Sequence, residues 1–183
     1  LYVPRELMET LVKDALSSTL WPNRTAPTRL VIHKTTAFHE EEITGLQSAL
    51  EDLGLSVEYA LVHIKEETVQ RAYRDTDKQA MRGILLTFRD DMPEVILWPV
   101  GKVSSKYWDK KSGAYEYSEK SGSKIGTSDP IAIHLDPNSQ CSNFTVVDAA
   151  KQVLALTKMR WNTVEMSIRL PVSIYLARRV GAF

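Results

Sequence analysis

The chain has 183 residues, 43% of them hydrophobic and 25% charged, which suits one large or two small globular domains with a real core and excludes a disordered or fibrous protein. Lys and Arg together number 23, as do Asp and Glu, so a general basic coat for polyanions is excluded and any such surface must be local. The single cysteine, Cys141, excludes an internal disulfide framework and a multi-cysteine zinc site, and fits a reducing, cytoplasmic setting.

Pro4 can open a helix, since a missing N–H costs nothing in the first turn. Leu7, Leu11, Leu16 and Leu20, supported by Met8, Val12 and Ala15, predict a helical stripe to about residue 20. Trp21-Pro22 and Thr25-Ala-Pro27 break it. Arg29 to Lys34 is a short β-branched run and reads as a buried strand. A second amphipathic helix follows, with Ile43, Leu46, Leu50 and Leu53 on one face and Gly54 placed for a left-handed C-cap.

Val57 to Ile64 reads as the next strand, and residues 65–82 are polar and ambiguous. Gly83 to Phe88 and Val95 to Val103 read as strands separated by the turn signal Asp90-Asp91-Met92-Pro93. Residues 104–124, rich in Ser, Lys and Gly with Tyr107, Trp108, Tyr115 and Tyr117, predict a mobile or ligand-ordered hairpin. Ile131 to Leu135 is another strand, ended by Asp136-Pro137-Asn138. Thr145, with Asp148 three residues on, predicts a capped helix carrying Val146, Val147, Ala150, Val153, Leu154 and Leu156. Leu170 to Val180, entered through Pro171, is the last strand-like or helical segment. No apolar run approaches the roughly 18 to 20 residues of a membrane span. This order of elements fits one mixed α/β domain over residues 1–183. The chain begins at Leu1 and stops at Phe183 after an apolar segment, which reads as a piece of a longer protein.

Charge is unevenly placed. Residues 39–67 hold Glu40, Glu41, Glu42, Glu51, Asp52, Glu58, Glu66 and Glu67 against Lys65 alone. Lys102, Lys106, Lys110, Lys111, Lys120 and Lys124 lie in the second half, and Lys158, Arg160, Arg169, Arg178 and Arg179 oppose only Glu165 near the end. Such runs are ordinarily solvated faces; the sharper reading is that the two basic stretches line one anion-binding channel.

No catalytic signature is present: neither a Rossmann nor a Walker phosphate cradle, and no paired spacing among His33, His39, His63 and His134. His39-Glu40-Glu41-Glu42 reads as a helix start whose carboxylates complement the helix dipole. Cys141 reads as inert. What remains is polar groups at element ends: His33-Lys34-Thr35-Thr36, Lys124 to Ser128, Lys158 to Asn162, then Arg169, Tyr175, Arg178 and Arg179. Hydroxyls, N–H groups and guanidinium forks at strand ends suit phosphodiester oxygens.

R-L-V-I-H-K-T-T at 29–36, followed by E-E-E-I-x-G-L at 40–46, resembles the central strand and helix of a prokaryotic Argonaute PIWI domain. I-G-T-S-D-P at 125–130 resembles that family's G-T strand start. L-A-L-T-K-M-R-W-N-T at 154–163 and L-P-V-S-I-Y-L-A-R-R-V-G at 170–181 resemble its C-terminal helix and closing segment. The resemblance implies an RNase H-like mixed sheet flanked by helices, as the C-terminal half of a PIWI domain. It implies a channel for a guide RNA or DNA and its complementary target. The further partners it implies are the rest of the same protein (MID and the first half of PIWI) and an effector protein, with no membrane.

In slicing members the strand corresponding to 29–34 ends in R-D-G, whose Asp binds metal; here that step reads His33-Lys34-Thr35. The fourth metal ligand falls on Arg178, after Ala177. Two-metal cleavage needs anionic or neutral ligands, so the resemblance implies a catalytically inactive branch. No cofactor is then expected in this piece, and a divalent cation would enter only in the full-length protein. The nucleic-acid contacts it implies are His33, Lys34, Thr35, Thr36, Lys124, Thr127, Ser128, Arg160, Asn162, Arg169, Tyr175, Arg178 and Arg179. Two rivals stand beside it: a metal-dependent RNase H-like endonuclease using Asp129, Asp136 and Asp148, and a protein–protein module anchored by the tyrosine-rich segment 104–118.

Overall fold

The computed structural model describes residues 2–17, 27–72, 80–89, 92–121, 129–159 and 169–180, with backbone alone at 102–107 and 117–121. Five strands form one mixed sheet in the order β1-β2-β7-β4-β3, and β5 and β6 form a separate two-stranded sheet. These are β1 (Arg29–Lys34), β2 (Glu58–Lys65), β3 (Leu85–Thr87), β4 (Glu94–Leu97), β5 (Lys102–Asp109), β6 (Ala114–Ser121) and β7 (Ile131–Leu135). The helices are α1 (Arg5–Leu16), α2 (Glu40–Asp52), α3 (Val146–Leu156) and α4 (Val172–Val180). The chain divides into two compact units: Leu1–Ile64 with His134–Thr145, and Lys65–Ile133 with Val146–Phe183.

In the first unit, β1 and β2 are parallel, with Lys34 opposite His63, and α2 is the crossover that a parallel pair requires. α2 ends as its sequence predicts. Gly54 takes φ 63; its N–H bonds to Glu51 O, and the Leu55 N–H reaches Leu50 O at 3.1 Å, a Schellman closure. Leu46, Ala49 and Leu50 are buried with Tyr59 and Leu61 of β2.

α1 departs from expectation twice. It stops at Leu16, because Ser17 is extended (ψ 148) and its hydroxyl bonds Asp14 O at 2.8 Å, the local competition that ends helices at serine. Its buried residues are Met8 and Val12, while Leu7 and Leu11 are exposed. The reason lies across the interface. A Cβ on Gly45 of α2 would lie 2.5 Å from Arg5 O and 3.0 Å from Met8 Cβ, so the helices meet along the line where α2 has no side chain.

In the second unit, Ile96, Trp98, Ala80 and Ala132 are buried together. β4 and β3 are antiparallel, Leu97 opposite Leu85. The single strand expected over Val95 to Val103 is two strands in different sheets. Pro99 has no N–H for a ladder. Gly101 brings backbone against backbone, since a Cβ there would lie 2.5 Å from Ala80 O. The expected hairpin over 104–124 is present as β5 and β6, with Trp108 opposite Tyr115. α3 buries Val146, Ala149, Ala150 and Val153. The last segment is a helix, α4, whose first turn bonds back to Pro171 O from Ile174 and Tyr175.

The expected breaks at Trp21-Pro22 and Asp90-Asp91 lie outside the described residues. Among the described residues, no helix is long and apolar enough to cross a membrane.

Candidate nucleic-acid interface

The polar residues singled out by sequence fall in both units. In the first, β1 delivers His33 and Lys34 to its C-terminal end, and a bend at Thr35 and Thr36 leads into α2. His33 is half-buried opposite Val62. Thr35 is half-buried and Thr36 exposed.

Lys34 is committed to protein acceptors. Its Nζ lies 2.6 Å from both carboxylate oxygens of Glu42 and 3.2 Å from Ala37 O, which accounts for its three donors. It also sits 5.6 Å from the centroid of the Phe38 ring. Glu42 is 2% exposed. Its carboxylate accepts the backbone N–H of Val3 at 2.9 Å and of His39 at 2.8 Å. Burial pushes the Glu42 pKa up, but the Lys34 ammonium and the two N–H groups outweigh it and hold the carboxyl below its ordinary value. His39 caps α2 in a capping box with Glu42, and its ring stacks on Tyr2 at 4.2 Å. The acidic run at 40–42 therefore does open a helix, and its third member also answers the lysine at the end of β1.

In the second unit, Arg169 donates to the carbonyl oxygens of Glu66 and, at 2.9 Å, Pro130, while its buried Nε finds no acceptor among the described residues. Arg178 pairs with the Glu66 carboxylate and keeps 52% of its side chain exposed. Arg179 donates to the Tyr175 hydroxyl at 3.2 Å, one turn away. Arg178 and Arg179 both occupy the last turn of α4, where cations complement the helix dipole. Lys124, Thr127, Ser128, Arg160 and Asn162 lie outside the described residues.

The carboxylates of the endonuclease alternative are each engaged locally. Asp129 pairs with Arg71 at 3.5 Å. Asp136 accepts both the backbone and the side-chain amide of Asn138 at 2.9 Å. Asp148 lies 3.6 Å from Lys151. Cys141 donates to Glu58, and burial, then that carboxylate, push its thiol pKa up, the opposite of what a nucleophile needs.

Three residues carry more than their sequence context signalled. Glu42 and Glu66 sit in the acidic stretch 39–67, which reads as a solvated face, yet each anchors a cation from elsewhere in the chain. Arg82 gave no signal at all. Its guanidinium donates to Thr157 Oγ1 at 2.7 Å, and burial pushes its pKa down.

No protein-family model matches this sequence, and no curated protein matches it. Solved structures do. The chain aligns with Clostridium butyricum Argonaute, bound to a guide DNA (5′ deoxycytidine) and a 19-mer target DNA, at TM-score 0.68 and 11% identity, over 98% of this chain and 20% of that one. It aligns with Marinitoga piezophila Argonaute, in complex with a 5′ OH guide RNA, at TM-score 0.63 and 13% identity, over 96% of this chain and 22% of that one. The chain thus spans about a fifth of either protein. At these identities the likeness is one of fold: an RNase H-like mixed sheet flanked by helices, as the sequence led us to expect.

Proposed function

We propose that this chain is the C-terminal part of a PIWI domain, and that it holds a guide strand and its complementary target through their sugar–phosphate backbones without cutting the target. The likeness of nearly the whole chain to Argonautes solved with guide DNA and target DNA, or with guide RNA, carries this reading. Sequence specificity then belongs to base pairing between the strands, and the protein supplies shape and charge.

In this reading Arg178 and Arg179 on α4, with Tyr175, give guanidinium and hydroxyl donors to phosphate oxygens. Thr35 and Thr36 give hydroxyls beyond β1, and His33 and Lys34 shape that end of the strand. A phosphate contact from Lys34 itself requires its ammonium to turn from Glu42. Arg169 positions backbone through its two carbonyl contacts. Lys124, Thr127, Ser128, Arg160 and Asn162 join the interface by the motifs that contain them.

The absence of slicing rests on the donor set. At the two places where slicing relatives of the resembled family carry metal ligands, this chain has Lys34 and Arg178. A pair of divalent ions needs anionic or neutral donors. Two cations do not fit it; they would repel the metals that cleavage requires.

The test uses the full-length parent protein, loaded with a guide and given a labelled complementary target in Mg²⁺ or Mn²⁺. Capture of the target with no cleavage is expected. Guide-dependent cleavage that is lost on mutating a residue of these 183 overturns the non-slicing part, and failure to capture overturns the whole reading.

A further inference from the structure

We propose that the tip of the β5–β6 hairpin is a stacking platform for unpaired nucleotides, with Trp108 and Tyr115 taking bases and Lys110 and Lys111 taking the adjoining phosphates. The inference rests on the reading that this protein holds nucleic acid, but it assigns a second contact, made to single strand and independent of the guide.

Trp108 and Tyr115 are directly opposite each other in the hairpin ladder. Their ring centroids lie 5.0 Å apart at an interplanar angle of 73°. Both rings stand in water: Trp108 is 53% exposed and Tyr115 62%. Large aromatic side chains gain most from burial, and an edge-to-face pair leaves ring surface open to a third flat group. The hairpin is a two-stranded sheet of its own, an architecture that is marginally stable by itself in water. A ligand that stacks on the pair would therefore also order the ribbon.

The surroundings select the ligand. Gly113, at φ 65, closes the turn with its N–H on Asp109 O at 3.0 Å. The Asp109 carboxylate accepts the backbone N–H groups of Lys111 and Ser112 at 3.1 and 3.2 Å, so it is spent on the turn. Lys110 and Lys111 are exposed, and among the described residues their ammonium groups have no ion-pair or hydrogen-bond partner. A protein hot spot would need a dry rim around the aromatic pair. Here the turn between the two rings is Lys110, Lys111, Ser112, Gly113 and Ala114, polar and cationic at its tip, with Asp109 and Glu116 next to the rings in sequence. A base needs only a ring face, and its phosphate a cation nearby, which is how single-strand binders work without sequence preference.

The test titrates the full chain, without guide, against a fluorescently labelled oligothymidine of about 12 nucleotides. Trp108→Ala and Tyr115→Ala should each weaken binding about tenfold, the usual loss of one base–aromatic stack, while Trp108→Phe keeps most of it. Lys110→Ala with Lys111→Ala should flatten the log–log salt dependence by roughly 1.4 units, about 0.7 per phosphate on single strand. Guided target capture by the full-length parent should be unchanged in Trp108→Ala. Wild-type chain that binds no single strand while guided capture persists overturns the platform and spares the proposed function. Single-strand binding that survives both aromatic substitutions also overturns it, as does a Trp108→Ala variant that loses a protein partner and no oligonucleotide affinity. Trp108-dependent single-strand binding in a protein that captures no guided target would uphold the platform and sink the guided reading.

Discussion

Lys34 and Glu42 form a largely buried ion pair across the end of β1 and the first turn of α2, with Nζ 2.6 Å from each carboxylate oxygen. The carboxylate is 2% exposed and the lysine side chain 20%. Two backbone N–H groups complete its shell. A buried pair owes its worth to such completeness, since removing one partner strands the other charge. The same pairing recurs at the surface: Lys13 with Asp52, Arg29 with Glu58, and Arg178 with Glu66. Four of the eight acids of residues 39–67 are thus counter-charges to bases drawn from the rest of their own units.

Lys34→Met should therefore destabilise the protein by about 3 kcal/mol, the low end for breaking a buried pair, because Lys34 is not wholly enclosed. The pH dependence should also change sign. In the wild type the Glu42 carboxyl is held below its ordinary value, so its contribution is fully present above that value and is lost as pH falls through the folded pKa. In Lys34→Met the largest lowering influence is gone and burial pushes the carboxyl up, so the variant should lose less stability than wild type between pH 6 and 4. Urea unfolding across that range measures both effects. Superimposed curves would show that the pair contributes nothing to folding, and parallel but offset ones that Lys34 is not what holds the Glu42 carboxyl down.

Two glycines, one within α2 and one just past its end, should respond differently to alanine. At Gly45 the new Cβ meets Arg5 O at 2.5 Å, and α1 must move away, at about 1–3 kcal/mol for overpacking. At Gly54 nothing lies within 4 Å, but φ is 63, so the cost is the left-handed strain of about 1–2 kcal/mol. Adding Met8→Gly, which removes the Cβ lying 3.0 Å from the new one, should change the cost of the first substitution and leave that of the second. Denaturant midpoints of the singles and doubles check this.

Glu58 offers a direct titration. Arg29 first, then Ser142 and Cys141, hold its carboxyl down to about 2. Whatever stability the cluster contributes is present above the ordinary glutamate value and is lost as pH falls through about 2. Arg29→Ala should raise the Glu58 midpoint seen by NMR. The neighbouring Cys141 thiol, raised by burial, should alkylate slowly at neutral pH in the wild type. An unchanged Glu58 midpoint in the variant would mean that the guanidinium is not what holds it.

Much of the fold is legible because it is local. β1 and β7 occupy the segments their β-branched runs predict, and Gly54 closes α2 where a left-handed residue is needed. The misreadings share one cause, which is that pattern does not name the partner. Leu7 and Leu11 lie on the leucine stripe of α1, yet Met8 and Val12 are buried because Gly45 offers the close approach. Val95 to Val103 is apolar throughout most of its length, yet Pro99 and Gly101 divide it between two sheets. At the candidate site, Lys34, Arg169, Arg178 and Arg179 stand out as cations at element ends. The counter-charge of Arg178 does not, because Glu66 lies 112 residues away and no spacing rule reaches that far.

If the chain holds guided target as proposed, the pairing of Glu66 with Arg178 predicts opposite effects of substituting its two members. Arg178 sits in the last turn of α4 with half its side chain in solvent, so its guanidinium can reach a phosphate while Glu66 offsets its charge. Arg178→Ala removes the cation. Affinity for guided target should fall by a similar factor for every sequence, and the log–log salt slope should flatten by roughly one unit on duplex. Glu66→Gln removes the competing anion and leaves the carbonyl that Arg169 uses, so affinity should rise, most clearly at low salt where screening is weak. The double variant should match Arg178→Ala alone, because without the guanidinium the carboxylate has nothing to compete for. Filter binding at several salt concentrations, with the full-length parent and two unrelated guide–target pairs, separates these outcomes. A Glu66→Gln variant that weakens binding as much as Arg178→Ala would mean that the pair acts by holding α4 in place, and that Arg178 does not touch the phosphate.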